Sequence, residues 1–364
     1  MRDPRLLDDD DLAPQEQLPP CKVMIGQLRL KSSWEGLISR TGGRRVAGSS
    51  LNAEQPHPSF KANVCVEQHN DTCHPLLFLS FVAMSFRYGD QPQESEWLAK
   101  SSGACCLKGH LHNGDPKGSF ERLADIETYV TKPSPEKDNG HIVFYFPDVF
   151  GFFVNGLLVM DTFAEAGYTT IGLDYVNGDP IYMHRDGPKT PQEGFDFEKW
   201  LAKYQKYAKE HVDGWIAAFK QKYGKAGTKY ACTGYCFGAP YVMHALSKAS
   251  RPACDVGGFA HPAFLKEHHF QNIEKPIFLS CAETDFTFET DTRNKALAIL
   301  REAKKPYSVQ LFSGVEHGFA LRCDLSKSYE RWCKEESARG IATYFDLQLG
   351  VCDKQSQKDG DSKL

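Results

Sequence analysis

The sequence lacks the marks of a membrane protein, a nucleic-acid-binding protein or a nucleotide-dependent enzyme. Its one dense apolar run outside the expected core, residues 75–84, is too short to span a bilayer. A formal net charge of −4 over 364 residues leaves no basic excess for binding nucleic acid. No glycine-rich nucleotide fingerprint is present, which argues against an oxidoreductase, and no internal repeat is apparent. We therefore expect no membrane, nucleic acid or cofactor among its partners.

An apolar N-terminal leader is also missing, because residues 1–20 are acidic and contain no apolar stretch. We therefore expect the 12 cysteines to be free thiols in a reducing compartment rather than a disulfide framework. Cys105 and Cys106 are adjacent, which fits neither zinc-ligand nor C-x-x-C redox spacing. The nearby His110 and His112 are too few to hold a metal ion, so no metal site is predicted.

Residues 1–100 differ in composition from the rest of the chain. Proline, glycine, serine and glutamine are frequent there, with an acidic run at 8–11 and no sustained periodicity. This composition predicts a poorly ordered extension. Met84 opens a start-like stretch, which supports the hypothesis that residues 1–83 do not belong to the native protein. A flexible polar tail is expected over residues 351–364, which leaves 101–350 as the folded domain.

From residue 119 onward, strand-like and helix-like patterns alternate, as in α/β proteins. An edge strand is predicted at 123–132. Buried strands are predicted at 141–147, 169–175, 228–233, 256–260, 276–282 and 307–312. Helices are predicted at 157–166, 197–223, 239–249 and 326–347. The alternation predicts a mostly parallel central sheet with helices on both faces.

The stretch Gly-Tyr-Cys-Phe-Gly at 234–238 is typical of a sharp turn that presents a nucleophile between a strand and a helix. Small residues two positions either side of Cys236 are a steric requirement, because the turn is strained and larger side chains would collide. The strand-like approach and the helix-like exit supply the context that this turn needs. We therefore predict that Cys236 is a nucleophile.

A carboxylate and a histidine follow at suitable places. Asp285 comes just past one predicted strand and His317 follows the next, so both lie beyond the carboxyl ends of their strands. Nucleophile, acid and histidine in that order are typical of α/β-hydrolases. A free thiol is mostly protonated near neutral pH and needs a base to take its proton. We assign His317 as this general base and acid, with Asp285 orienting its ring.

Each assignment has an alternative. Cys236 would also suit a buried core position, and Asp285 a turn or the N-cap of a helix. Glu283 and Asp291 are weaker candidates for the acid, because the first is close to the strand and the second lies on the expected helix. Three other histidines are weaker candidates for the base, being helical or in a charged segment: His244, His268 and His269.

The Gly-Tyr-Cys-Phe-Gly motif, the later aspartate and the His-Gly-Phe-Ala motif at 317–320 resemble the dienelactone hydrolase family, particularly its fungal branch. The segment 104–118 also resembles the start of those fungal proteins, so the likeness covers about residues 105–349. The resemblance implies an α/β-hydrolase fold and a Cys-Asp-His triad, which maps onto Cys236, Asp285 and His317.

The resemblance further implies that an acidic residue after the third strand contacts the resting thiol. Asp148 occupies that position here, with a helix cap or turn as its alternative role. The bacterial enzymes carry a longer glutamate, so thiol activation is expected to differ in detail. Backbone N–H groups should stabilise the oxyanion of acyl transfer. We expect these donors to be the amides of Phe237, the residue after the nucleophile, and of Val149, beyond the strand at 141–146.

The best-known substrates of the resembled family carry a carboxylate that arginines bind. Arg322 lies near the corresponding basic position, one residue later than in the bacterial pattern, and Arg185 is a second candidate. Solvated surface arginines are the alternative for both. His261, which follows a predicted strand, is a further candidate pocket residue. Aromatic residues in the loop 175–197 are expected to cap the pocket.

Together these features predict a hydrolase that cleaves an ester, lactone or thioester of a small molecule through an acyl-enzyme on Cys236. One alternative is a catalytically silent member of the fold that binds a small molecule or a partner. A second alternative is an acyltransferase or isomerase that uses the same site with water excluded.

The last three residues, Ser362, Lys363 and Leu364, match a peroxisomal import signal. The polar residues before them should leave the terminus accessible to the import receptor, which we expect as a partner. We therefore expect a peroxisomal location in a eukaryote, and a cytoplasmic location otherwise.

Overall fold

The structure is a computed structural model that describes residues 95–101, 109–187 and 190–352. The predictions for residues 1–94, for 102–108 and for the tail after residue 352 lie outside these ranges. The described strands are β1 (Trp97–Ala99), β2 (Ser119–Leu123), β3 (Ile126–Thr131), β4 (Ile142–Phe146), β5 (Thr169–Leu173), β6 (Arg185–Gly187), β7 (Thr190–Pro191), β8 (Tyr230–Tyr235), β9 (Val256–Ala260), β10 (Leu265–Lys266), β11 (Ile277–Thr284) and β12 (Tyr307–Glu316). The described α-helices are α1 (Val154–Glu165), α2 (Phe197–Tyr223), α3 (Ala239–Ala245), α4 (Glu267–Asn272), α5 (Thr290–Glu302), α6 (Phe319–Arg322) and α7 (Ser328–Leu349).

Eight of these strands form one sheet in the order β12-β11-β9-β8-β4-β5-β3-β2. Every neighbouring pair from β12 across to β5 is parallel, whereas β3 is antiparallel to both of its neighbours. All residues of the central strands β4 and β9 are buried. Because successive side chains point to opposite faces, both faces of the sheet are covered at its centre. The predicted α/β-hydrolase fold with a mostly parallel sheet is confirmed.

The parallel strands bring the predicted site residues to one edge of the sheet. The carboxyl ends of parallel strands meet at the same edge, where ligands bind in open α/β sheets. Five of the predicted site residues lie within two residues of the carboxyl end of such a strand. They are Asp148 after β4, Cys236 after β8, His261 after β9, Asp285 after β11 and His317 after β12. The sheet therefore positions a candidate site from residues far apart in the chain.

The single edge strand predicted at 123–132 is wrong. The structure has a hairpin there, in which β2 and β3 are joined by Ala124 and Asp125. Both residues have left-handed backbone, with φ of 51° and 60°. β2 is the edge strand, and β3 lies inside the sheet between β2 and β5. Alanine rarely adopts this conformation, so the sequence carried little signal for a turn.

The other predicted helices and strands are confirmed, with ends that shift by a few residues. The helix predicted at 239–249 already ends at Ala245, and the strand predicted at 307–312 continues to Glu316. The long helix α2 begins where Asp196 caps it, because the Asp196 side chain accepts a hydrogen bond from the amide of Lys199.

The folded domain begins before the predicted boundary at residue 101. β1 pairs with β10, and its residues Leu98 and Ala99 are fully buried. The amide of Lys100 donates a hydrogen bond to the carbonyl of Thr287, at 2.8 Å. The last few residues of the predicted poorly ordered extension therefore pack onto the domain.

Candidate active site

The predicted nucleophile motif forms a tight turn between β8 and α3. Cys236 is buried and has a φ of 50°, a left-handed conformation that costs about 1–3 kcal/mol for a residue with a side chain. A Cβ atom on Gly234 would lie 2.6 Å from the carbonyl oxygen of Gly238. A Cβ atom on Gly238 would lie 2.1 Å from the carbonyl oxygen of Phe146. Both glycines are therefore required by lack of space, as the sequence indicated.

Asp285 and His317 form a buried hydrogen-bonded pair. They follow β11 and β12, which are parallel neighbours whose last residues, Thr284 and Glu316, are paired in register. Asp285 and His317, which follow these two residues, therefore leave the sheet side by side. His317 Nδ1 lies 2.9 Å from Asp285 Oδ1, and both side chains are about 1% exposed. This is the arrangement in which a carboxylate fixes the tautomer and orientation of an imidazole.

A third side chain, Thr287, holds this pair and was not predicted from the sequence. Its hydroxyl donates to Asp285 Oδ1 at 2.7 Å and lies 3.0 Å from His317 Nδ1. Its amide also donates to Asp285 Oδ1, at 3.0 Å. A hydroxyl two residues after an aspartate is a common local turn arrangement, so the sequence contained a weak signal for it.

The environment of Asp285 keeps its carboxylate ionised. Burial raises the pKa of Asp285, but His317 and the hydrogen bonds from Thr287 outweigh burial and lower the pKa from 3.8 to about 2. The carboxylate is therefore negative throughout the physiological range, as an orienting partner of a histidine requires.

A short segment, His261 to Ala263, links the turn at Cys236 to Thr287 and His317. The amide of Ala263 donates to the carbonyl of Cys236 at 3.1 Å. The carbonyl oxygen of Pro262 lies 2.7 Å from the hydroxyl of Thr287. The ring of His261 lies edge-on to that of His317, with 5.0 Å between centroids. The three strand ends are thus joined through this one segment.

The predicted oxyanion loop follows β4. The Asp148 carboxylate accepts from the amide of Phe150 at 2.9 Å, and the carbonyl of Val149 accepts from the amide of Ile181 at 3.0 Å. The hydroxyl of Tyr175, which the sequence did not single out, donates to the carbonyl of Pro147. These bonds fix the backbone on either side of the Val149 amide. The capping loop expected at 175–197 therefore holds the oxyanion loop directly.

The two arginines expected to bind a carboxylate differ in their surroundings. Arg322 is buried and forms an ion pair with Asp148, so the positive charge of one side chain balances the negative charge of the other. Arg185 is half-buried. Both guanidinium groups lie over the ring of Phe150, at 4.7 Å for Arg322 and 5.3 Å for Arg185. Arg322 is therefore not the solvated surface arginine considered as its alternative.

The weaker candidates for acid and base lie elsewhere in the fold. His244 pairs with Asp213 at 2.8 Å, and Asp291 lies in the first turn of α5. Glu283 lies within β11 and bonds the amide of Gly314. His268 and His269 belong to α4.

Within the described ranges the structure offers little for metal or membrane binding. No group of three or more metal-binding side chains is arranged to hold an ion there. The helices of this part of the chain are all too short or too polar to cross a membrane. The seven cysteines that it contains form no disulfide with one another.

Comparisons with known proteins agree with this fold and identify its family. A profile of the Dienelactone hydrolase family matches residues 126–347. "Dienlactone hydrolase 1" of Gibberella moniliformis is 38% identical over 253 residues, which cover 69% of this chain and 96% of that protein. "Dienlactone hydrolase 2" of the same fungus is 38% identical over 69% of this chain and 97% of its own length. "Hydrolase pyvD" of Aspergillus violaceofuscus is 33% identical over 67% of this chain and 96% of its own length.

The family match begins at β3, covers every strand of the main sheet except β2 and extends to residue 347 within α7. The relatives are themselves named as hydrolases. The resemblance noted in the sequence is thereby confirmed. The chain belongs to the dienelactone hydrolase family and is a hydrolase of the α/β-hydrolase fold.

Proposed function

We propose that this hydrolase cleaves a small ester, lactone or thioester through an acyl-enzyme on Cys236, with His317 and Asp285 completing a triad. The observation that carries the proposal is the buried 2.9 Å contact between His317 Nδ1 and Asp285 Oδ1. Both residues leave the sheet at the edge where Cys236 is held in its strained turn. The segment that bonds the Cys236 carbonyl also contacts Thr287 and His317.

The first half of the reaction forms the acyl-enzyme. Because Asp285 and Thr287 lie against Nδ1, the base acts through Nε2, which takes the proton of the thiol. The thiolate attacks the carbonyl carbon of the substrate, and the amides of Phe237 and Val149 stabilise the resulting oxyanion. His317 then gives the proton to the leaving oxygen or sulfur, which departs and leaves the acyl group on Cys236.

The second half releases the acid. A water molecule loses a proton to His317 as its oxygen attacks the thioester carbon. The carbon–sulfur bond breaks, and the imidazolium returns the proton to the sulfur of Cys236. The products are a carboxylic acid and the free enzyme, so the cycle needs no cofactor.

Arg185 is the better of the two arginines for a substrate carboxylate. The charge of Arg322 is already balanced by Asp148, and breaking that buried pair would leave an uncompensated charge. Arg185 lies half-buried over Phe150, next to the oxyanion loop. We therefore propose Arg322 as the residue that holds Asp148 near the thiol, and Arg185 as the cation for an acidic substrate.

Acyl transfer to an acceptor other than water is a second candidate for the same site. The observation that favours it is burial, since the side chains of Asp285 and His317 are about 1% exposed and Cys236 is fully buried. Such a site limits the access of bulk water to the acyl-enzyme. In hydrolysis water attacks the thioester of the acyl-enzyme, whereas in acyl transfer another nucleophile attacks it.

The proposal is tested by turnover of a panel of p-nitrophenyl esters, small lactones and acyl thioesters. Cys236→Ala should reduce the best rate to background, and Asp285→Asn should lower kcat by about 10²–10⁴-fold. Cys352→Ala removes an exposed thiol as a matched control and should leave the rate within twofold. Equal rates for wild type and Cys236→Ala would reject the cysteine as the nucleophile.

A further inference from the structure

Four buried polar side chains lie together beside His317, and we call them the polar cluster: Tyr145, Thr233, Tyr235 and His261. Tyr145 and Thr233 are paired in the register of β4 and β8, and Tyr235 lies two residues further along the same face. Ring centroids are 5.4 Å apart for Tyr145 and Tyr235, and 5.8 Å apart for Tyr235 and His261. The His261 ring then lies 5.0 Å from that of His317. The polar cluster therefore extends from a central strand to the proposed base.

Five polar atoms of the cluster are buried, and none forms a well-aligned hydrogen bond to another residue in the described ranges: Tyr145 Oη, Thr233 Oγ1, Tyr235 Oη, His261 Nδ1 and His261 Nε2. Burial raises the pKa of Tyr235, and the nearby Thr233 hydroxyl partly offsets this, although the two hydroxyls form no well-aligned hydrogen bond. A buried polar atom left unpaired costs about 1–3 kcal/mol, and native proteins contain few of them. Their concentration at one place indicates a site for a polar ligand.

His261 carries a second cost, because its φ of 36° is left-handed. Contacts made by the backbone of three successive residues, 261 to 263, hold His261 in this conformation. The amide of His261 donates to the carbonyl of Ser280, the carbonyl of Pro262 contacts the hydroxyl of Thr287, and the amide of Ala263 donates to the carbonyl of Cys236. Strained residues with unpaired polar groups persist where the surroundings fix them, and such places are commonly functional.

The cluster is uncharged near neutral pH, which restricts what it can bind. Burial raises the pKa of Tyr145 and Tyr235, while burial and the neighbouring His317 lower the pKa of His261 well below its usual value. An anion would be buried there without a free counter-charge, because Arg322 is already paired with Asp148. Hydroxyl groups and a neutral imidazole each donate and accept hydrogen bonds, so they suit a neutral ligand that does both.

The ligand must also be small. Aromatic rings whose centroids are 5 to 6 Å apart are in van der Waals contact, so only their polar tips are available. On the far side, a Cβ atom on Gly156 of α1 would lie 3.0 Å from Tyr145 Oη, which leaves no room there. A water molecule needs two to four polar partners in a buried site, and the polar atoms of the cluster are enough to supply them.

We propose that the polar cluster binds the water molecule that hydrolyses the acyl-enzyme. The inference rests on the function proposed above and deepens it, because a water site beside His317 favours hydrolysis over transfer to another acceptor. The water oxygen bonds to the thioester carbon as Nε2 of His317 takes one water proton. The carbon–sulfur bond then breaks, and the same proton moves to the Cys236 sulfur.

The test separates acylation from deacylation with a p-nitrophenyl ester under rapid mixing. Tyr235→Phe and Tyr145→Phe remove hydroxyls and keep the rings, so the fold is retained, as unchanged thermal unfolding will verify. Both variants should acylate within threefold of the wild-type rate, whereas kcat falls at least tenfold and a burst of p-nitrophenol appears. Hydroxylamine, which attacks the thioester in place of water, should restore turnover. Tyr344→Phe, a buried tyrosine packed on Phe278, is the matched control and should behave as wild type.

Intact-mass measurement distinguishes the ways in which the inference can fail. Accumulation of the acyl group on Cys236 in Tyr235→Phe supports the water site. If acylation and kcat fall in parallel, or neither changes, the water site is rejected while the triad stands. If no acyl group forms on Cys236 in wild type or variants during turnover, the proposed function itself is rejected.

Discussion

Thr287 shows how a single side chain adjusts the chemistry of this site. Its hydroxyl reaches Asp285, His317 and the carbonyl of Pro262, so it fixes the proposed acid, the proposed base and the segment beside Cys236 together. Its hydroxyl and its amide both donate to Asp285 and help to lower the pKa of that carboxyl group against the effect of burial. At the residue scale the site is therefore held by a residue that does not itself react.

A stability measurement tests the electrostatics of Asp285. A carboxyl group whose pKa falls from 3.8 to about 2 on folding stabilises the fold above pH 4, and this contribution disappears as the pH falls through 2. The unfolding free energy of the wild type relative to Asp285→Asn should therefore fall by about 2 kcal/mol between pH 5 and pH 1.5 in urea titrations. A difference that does not change with pH would contradict the lowered pKa.

At the scale of elements, the sharp turn between β8 and α3 depends on its glycines more than on any side-chain contact. Gly238 lies against the backbone of β4, where a side chain has no space. Backbone atoms cannot move aside as the end of a flexible side chain can. The turn therefore couples Cys236, the proposed nucleophile, to the strand that precedes the proposed oxyanion loop.

Alanine substitutions at two glycines test this coupling. Gly238→Ala should lower the unfolding free energy by about 3 kcal/mol, because its Cβ atom would lie 2.1 Å from the carbonyl oxygen of Phe146. Gly214 lies on the exposed side of α2, where an added Cβ atom would meet no other side chain or strand within 4 Å. Gly214→Ala should therefore raise the unfolding free energy by about 0.5–1 kcal/mol. Chemical denaturation measures both, and a Gly238→Ala protein as stable as wild type would refute the steric account.

Much of the order of strands and helices was predictable from sequence, because each predicted catalytic residue follows an apolar run typical of a strand. The order of Cys236, Asp285 and His317 indicated the fold without knowledge of the pairing of strands. The hairpin at Ala124 was not predictable, since alanine gives no turn signal. The ion pair of Arg322 with Asp148 joins residues from opposite ends of the domain, and only the folded sheet brings them together.

For the whole molecule, the C-terminal tripeptide lies outside the described residues and remains a sequence prediction. We propose that Ser362, Lys363 and Leu364 direct the protein to peroxisomes through the import receptor. A fluorescent protein carrying the tail from residue 351 should give a punctate signal that overlaps a peroxisomal marker. Removal of Leu364 should make the signal diffuse, and a diffuse signal from both fusions would refute the proposal.

The proposed mechanism depends most on which atom carries the acyl group. The most direct measurement is to quench the wild-type reaction with acid during its first turnover and to map the acyl mass by peptide sequencing in the mass spectrometer. We expect an acyl group on the peptide that contains Cys236 in the wild type, and none on the same peptide of Cys236→Ala. An acyl group on another residue, or full turnover by Cys236→Ala, would contradict it.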